Sequence, residues 1–501
     1  MPHAHDHCNH LPGEACSADH DNPPRLVPPP LSLYVHLPWC VRKCPYCDFN
    51  SHQAKGELPF DAYIDALLRD LDQDLPLVWG RVVHSVFFGG GTPSLFPPEA
   101  IDRFLQQASA RLRFAPNAEI TLETNPGTAE HGRFDRYRAA GVNRLSFGIQ
   151  SFDDAMLKRL GRIHDSGEAE RAVKMAQDAG YDNFNIDLMY ALPEQTLAGA
   201  EADLERAFAL QPAHISHYQL TLEPNTVFFA RPPQGIPDED NAWDMQEHCQ
   251  ALLAQAGFGQ YEVSAYARPG RQSAHNLNYW RFGDYLGIGA GAHGKISSGA
   301  EEHVLRRWKL KHPQAYLDSA GTPASFGGDD VIAPERLPFE YMLNLLRLHE
   351  GFGLRDFESR TGLPRSVLDA PLAEAVQRGW LDMTDGHVQP TELGRRFTND
   401  VVSLFLEDGS SPERGSFRPL AGNPVKTYLP ASGRHYRSSV GPGPADAIHV
   451  QPKVAPTSAD TVDSPDRSAG IRVPPADVSC LFHHSCRQEP PGRQRSATAG
   501  T

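Results

Sequence analysis

Three cysteines stand close together in Cys40-Val41-Arg42-Lys43-Cys44-Pro45-Tyr46-Cys47. The whole chain of 501 residues has only eight cysteines, so so tight a triplet calls for a chemical reason. Zinc is one reading, but structural zinc asks for four ligands, usually as two separated pairs. A disulfide is another, and it belongs in an oxidising compartment. No charged and apolar leader opens the chain, so export is not expected. A cubane [4Fe–4S] cluster suits three thiolates better: three irons take one cysteine each and the fourth iron stays open. An open iron can bind a small chelating molecule and pass it an electron.

Other chemistry-bearing residues fall where apolar runs end. Val82–Phe88 leads into Gly89-Gly90-Gly91-Thr92-Pro93, and glycines let a backbone approach a ligand and expose its amides. A plain tight turn is the bland alternative. Glu123 closes Ile120–Glu123, and Gln150 closes Leu145–Gln150. Arg162 follows twelve residues later, and Asp187 lies inside Asn185–Met189. A carboxylate within an apolar strand is costly unless it is paired or faces a ligand. A buried ion pair would account for Asp187 as well as a ligand would.

These residues need a frame. Short β-rich runs cover Leu31–Leu37, Val82–Phe88, Glu119–Glu123, Arg144–Gln150, Phe184–Tyr190 and His214–Leu220. Helical patterns fall between them, as in Phe60, Tyr63, Ile64, Leu67, Leu68 and Leu71, which share one face. Pro97–Leu112, Glu168–Ala179 and Ala198–Leu210 read the same way. This alternation means βαβ units and a parallel sheet, either an open partial barrel or a doubly wound sheet. A helix over Asp240–Ala256 and a strand over Tyr261–Tyr266 follow. From 335 to 408, helices at Pro338–Leu348, Arg365–Arg378 and Glu392–Leu406 with a hairpin over Leu381–Val388 resemble a winged-helix module. It lacks a dense basic helix, so an interaction or capping role is expected.

Composition bounds the rest. With 47 basic and 62 acidic residues the net charge is −15, which argues against gripping nucleic acid. No run approaches the roughly 20 apolar residues that cross a bilayer. Residues 1–30 hold five of the 23 histidines and end on three prolines, and read as a disordered arm. In residues 409–501 Leu, Ile, Val and Phe number 14 of 93, too few to bury a core, so this tail also reads as disordered.

The Cys-x3-Cys-x2-Cys loop after the first strand resembles the signature of radical S-adenosylmethionine (SAM) proteins. The resemblance implies a partial (β/α)6 barrel and a [4Fe–4S] cluster whose open iron is chelated by SAM. It also implies that the reduced cluster, fed by an electron donor, cleaves SAM to methionine and a 5′-deoxyadenosyl radical. The ordered motifs Tyr34-x-His36-x-Pro38-x-Cys40, Gly89-Gly90-Gly91-Thr92-Pro93, Glu123, Phe147-Gly148-x-Gln150, Arg162 and Asn185-x-Asp187-Leu188 are similar to those of oxygen-independent coproporphyrinogen III oxidase and its relatives. The similarity covers about residues 31–408. It implies that Cys40, Cys44 and Cys47 hold the cluster and that Tyr34, Gly90, Glu123, Arg162 and Asp187 contact its SAM. Gly91, Thr92 and Gln150 match positions given to a second SAM in the oxidase.

Two departures separate the chain from that oxidase. Phe49 stands where the oxidase has a further cysteine, and only a short arm precedes the first strand. His275-Asn276-Leu277-Asn278-Tyr279-Trp280 and Pro338-Phe339-Glu340-Tyr341-Met342-Leu343-Asn344 resemble motifs of the HemW-type haem chaperones instead. A neutral imidazole is a common haem ligand and aromatics can cover a porphyrin. The resemblance thus implies haem b bound through His275, with His293 as the rival ligand. Residues 271–334 are then a haem-motif connector between a barrel over 31–270 and the C-terminal module. Cargo would pass to membrane haemoproteins such as respiratory enzymes, from the cytoplasm and through peripheral membrane contact. Oxidative decarboxylation of coproporphyrinogen III is the alternative function.

Overall fold

A computed structural model describes residues 24–128 and 133–406. Its main sheet has twelve strands. Six are parallel and lie side by side in chain order: β1 Leu31–Leu37, β2 Val82–Gly90, β3 Arg113–Thr124, β4 Arg144–Gln150, β5 Phe184–Tyr190 and β6 His214–Gln219. A doubly wound sheet reverses its strand order at a switch point. These six strands show no reversal, which decides for the partial barrel.

The sheet stays open. Beyond β6 come two antiparallel strands, β7 Gly259–Glu262 and β8 Ala265–Ala267. They share the place where one strand was expected, because the chain turns at Val263-Ser264. The other edge of β1 pairs in parallel with β9 Asp284–Ile288. Antiparallel β10 His293–Ser298, β11 His303–Lys309 and β12 Phe326–Val331 extend that edge. The stretch 271–334 thus adds four strands to the sheet, together with the helices Ala274–Trp280 and Pro313–Ser319.

Alternation explains how β1 serves two layers. Leu33, Val35 and Leu37 join the core shared with the helix Phe60–Asp74, whose Tyr63, Ile64, Leu67 and Leu71 are buried. Ser32, Tyr34 and His36 point the other way, into the barrel. The helices Pro98–Ser109, Ser166–Asp178 and Leu197–Ala209 cover the outer face in the same manner.

The C-terminal module has helices Leu337–Leu345, Leu354–Thr361 and Asp369–Gln377, and the hairpin Leu381–Thr384 with His387–Pro390. Asp385 (φ 51°) and Gly386 (φ 77°) make the two-residue turn that such hairpins favour. Glu392–Arg396 and Thr398–Ser403 are two short helices where one long helix was expected. Tyr341 ties the module together, its ring 5.4 Å from Phe282, 5.4 Å from Phe352 and 5.2 Å from Phe357.

The end of the N-terminal arm, expected to be disordered through Pro30, is seated: Leu26 is buried and Val27 N–H donates to Ser359 O at 2.7 Å. The histidine-rich remainder of that arm and the 409–501 tail lie outside the described residues. Among the described residues no helix is long and apolar enough to cross a membrane.

Candidate cluster and cofactor site

One cavity opens at the carboxyl ends of the parallel strands. Cys40, Cys44 and Cys47 line it together with Gly90, Gly91, Thr92, Glu123, Gln150, Arg162 and Asp187. Ten of the twelve residues expected at the site are thus on one wall system, brought from six different strands and loops. Tyr34 and His275 are the two that do not line it.

The cysteine loop is held at both ends. Trp39–Cys40 pairs with His52–Gln53, and Ala54 N–H donates to Cys40 O at 2.8 Å. Asn50 Nδ2 reaches out to Ala290 O at 2.8 Å and Lys311 O at 2.9 Å. The glycine turn is then packed against this loop. A Cβ on Gly91 would sit 2.5 Å from Trp39 O, and one on Gly90 would sit 2.5 Å from the His36 ring. Gly90 also has φ 113°, open to glycine and strained for other residues.

The expectation that these glycines offer amides to a ligand is corrected by the hydrogen bonds. Gly91 N–H donates to Leu37 O and Thr92 N–H to Trp39 O, both at 2.8 Å. Gly90 N–H donates to Glu123 Oε2 at 3.2 Å. The amides serve the fold, so what the segment can offer an ammonium group is acceptors.

The thiols fit a multi-iron cluster. Among the described residues no cysteine is in a disulfide, and no three His, Cys, Asp or Glu side chains converge enough to hold a single metal ion. Three thiols lining one cavity are the donor set that a cube takes, its irons ligated one by one. Burial pushes the Cys40 thiol up to about 11, so without a metal this thiol stays protonated at neutral pH. Arg162 donates to Cys44 Sγ at 3.5 Å, and Cys47 Sγ lies 3.6 Å from Ser51 Oγ. Bound here, a [4Fe–4S] cluster supplies single electrons at an open iron.

Around the thiols the wall is polar and partly unsatisfied. Gln150 takes the left-handed backbone (φ 77°), a strain of about 1–3 kcal/mol that often marks functional positions. That turn lets its Oε1 accept from Tyr218 OH at 2.6 Å. Arg162 also donates to Gly148 O, yet its Nε and the Thr124 hydroxyl have no partner among the described residues. Asp187 accepts from Asn185 Nδ2 at 2.8 Å. Buried polar atoms left over on a cavity wall are what a polar ligand would satisfy.

Tyr34 lies beneath this wall. Its hydroxyl meets His36 Nδ1 at 2.9 Å, and His36 Nε2 meets Asn50 O at 2.9 Å. A carbonyl accepts only, so Nε2 carries the proton and Tyr34 donates to Nδ1. His275 is 3% exposed, with Nδ1 3.0 Å from Ser85 Oγ and its ring 5.0 Å from Phe87. Its helix, Ala274–Trp280, lends Asn276 to the cavity. Tyr279 and Trp280, expected to cover a porphyrin, pack elsewhere: Tyr279 against Tyr285, Trp280 under the Arg347 guanidinium. His293 stacks on Trp308 and does not line the cavity.

Burial holds three histidines of the sheet region neutral. His36 is pushed down to about 4, and His217 and His275 to about 3. In the unfolded chain each would take a proton near the ordinary imidazole value of 6.5. Between about pH 6.5 and 4 the unfolded state therefore binds more protons, and stability falls as pH falls. The urea midpoint is expected to drop clearly from pH 7 to pH 5, and an unchanged midpoint would contradict these burials.

Sequence reasoning missed part of the wall: Arg144, Ser146, Asn185, Ser216, Tyr218 and Asn276. A signal was present. Arg144, Ser146, Gly148 and Gln150 alternate along β4, which places them on one face.

Comparisons with known proteins agree with this architecture. The chain matches the family model described as "Radical SAM superfamily" over residues 34–207 and the "HemN C-terminal domain" over residues 332–397. It is 50% identical over 380 residues to "Heme chaperone HemW" of Escherichia coli (strain K12), covering 76% of this chain and 99% of that one. The protein of the same name from Haemophilus influenzae is 49% identical over 384 residues, with 76% and 99% covered. That from Bacillus subtilis (strain 168) is 31% identical over 380 residues, with 75% and 99% covered. Among solved structures, the radical SAM enzyme coproporphyrinogen III oxidase (HemN) from Escherichia coli superposes with a TM-score of 0.65 at 24% identity, over 75% of this chain and 90% of its own. That likeness is one of fold.

Proposed function

The chain belongs to the HemW family of radical SAM proteins, and from that premise we propose that it binds haem b and hands it to membrane haemoproteins, respiratory enzymes among them. Cys40, Cys44 and Cys47 would hold a [4Fe–4S] cluster, and Glu123, Arg162, Asp187 and the Gly90 segment would hold SAM at its edge. Gly91, Thr92 and Gln150 face the same cavity and would extend that SAM site. Tyr34 would act from below, by fixing His36 under the glycine turn. The protein would work in the cytoplasm, meet membrane partners peripherally and draw electrons from a separate donor.

One observation carries this reading. The His275 helix packs on β2, the strand that bears the glycine turn, with the His275 ring against Phe87. A shift at the cluster edge can therefore reach the haem motif through one strand. We take cluster redox state or bound SAM to set haem release. Transfer rates to an apo-haemoprotein should then change when SAM and reductant are added, and rates indifferent to both would sink this control.

His275 is the assigned haem ligand. Its ring is neutral, but one nitrogen is engaged by Ser85 and the side chain is buried. Haem ligation thus requires the Ala274–Trp280 helix to move. His275→Ala is expected to weaken haem uptake about tenfold or more, while the iron and sulfide content stays at the wild-type level. Equal haem uptake by the variant would move the ligand elsewhere.

A further inference from the structure

At the deep end of the cavity a buried cation is incompletely paired. Arg144, the first residue of β4, is 2% exposed and lines the cavity. Among the described residues its Nε has no hydrogen-bond partner and its one ion pair is with Glu119, at a loose 3.9 Å. Glu119 stands off because it is occupied. Its carboxylate accepts from Ser273 Oγ (3.3 Å), Ala274 N–H (3.1 Å) and His275 N–H (3.2 Å), capping the helix that carries the haem motif.

A buried guanidinium with unmet donors is costly to keep and matches the two oxygens of a carboxylate. Arg144 is also far from the SAM edge. Gln150 lies six positions further along the strand, roughly 20 Å at the usual rise. Beside it Asn276 Oδ1 is buried and unpartnered as well. The floor is therefore polar, cationic at Arg144 and unsatisfied, directly under the His275 helix.

We propose that Arg144 anchors a carboxylate of the porphyrin guest, a propionate, at the floor of this cavity. The inference rests on the haem-binding reading above and adds a second point of attachment to it. Haem seated by its propionate at Arg144 would lie at the foot of the helix that offers His275, and Glu119 would link the two by touching both.

The test uses full-length protein with its cluster rebuilt anaerobically. Haem, haem dimethyl ester and SAM are each titrated into wild type, Arg144→Gln and Arg144→Lys. The glutamine variant should bind haem about tenfold or more weakly, and lysine should restore part of the loss. The dimethyl ester has no free carboxylate and should bind all three proteins alike, and SAM affinity should not move. Equal loss for haem and ester would make Arg144 a structural partner of Glu119 and overturn the proposal. So would haem binding that ignores the substitution, or a loss confined to SAM. Wild type that takes up no haem overturns the haem-binding reading along with it.

Discussion

Alanine in place of Cys44 is expected to leave the protein without a cluster. Three thiolates are the fewest that hold a cube with one open iron, and two leave half its irons without a protein ligand. Iron and inorganic sulfide after anaerobic reconstitution should fall to background, and the brown absorbance should vanish. SAM affinity should fall more than about 100-fold, beyond what outer-shell changes usually cost. Arg162 loses a partner in the same change, since it donates to Cys44 Sγ at 3.5 Å. The fold should survive, because Cys44 is only half-buried in a loop fixed independently by Asn50 and the Trp39–Cys40 pairing. Haem uptake should persist in part, since His275 and Arg144 lie outside the loop. A Cys44→Ala protein that keeps wild-type iron and sulfide would exclude this cysteine as a ligand.

The largest stability effect is expected at Asp70. This carboxylate is fully buried on the helix Phe60–Asp74. It accepts from the buried Lys309 ammonium, from Tyr316 OH at 2.7 Å and from Gly289 N–H at 3.1 Å. Asp70→Ala leaves Lys309 with Asp74 alone, at 2.7 Å, and strands two further donors. Breaking a buried pair from one side costs about 3–5 kcal/mol, a large share of the roughly 5–15 kcal/mol that holds a domain folded. The surviving Asp74 contact puts the expected loss near the lower end, about 3 kcal/mol.

That loss should reach the site. Gly289 leads into Ala290, whose carbonyl anchors Asn50 at the end of the cysteine loop. Tyr63 OH joins the same region, accepting from Ala290 N–H at 2.9 Å and donating to His36 O at 3.0 Å. Iron retention in Asp70→Ala should therefore fall with the urea midpoint. A change in stability below about 0.5 kcal/mol, the scatter of ordinary surface substitutions, would show that Asp70 is dispensable.

What could be read beforehand followed burial. The ends of β1, β4 and β5 were legible because these strands are covered on both faces and read as apolar runs. The first residues of β3, Arg113 to Asn117, were not, since that end is polar and largely exposed. The added edge β10–β12 was hidden for a related reason: Phe326-Gly327-Gly328-Asp329-Asp330-Val331 alternates outward and has the composition of a loop.

The site divides the same way. Cysteine spacing and the glycine turn announce themselves because few residue types can do their work. The burial of His275 behind Ser85 and Phe87 depends on how a distant helix docks, which spacing along the chain does not encode. Arg144 looked like the start of an apolar strand, and only its position on the inward face of β4 gives it a role.

On the proposed function, three cysteines of one loop hold a cube with a free corner for SAM. Anaerobic reconstitution followed by iron and sulfide analysis and by electron paramagnetic resonance of the reduced protein tests it most directly. The expected result is about four irons and four sulfides per chain, and a cluster signal that shifts when SAM is added. Protein that carries zinc or no inorganic sulfide, or a cluster blind to SAM, would contradict it.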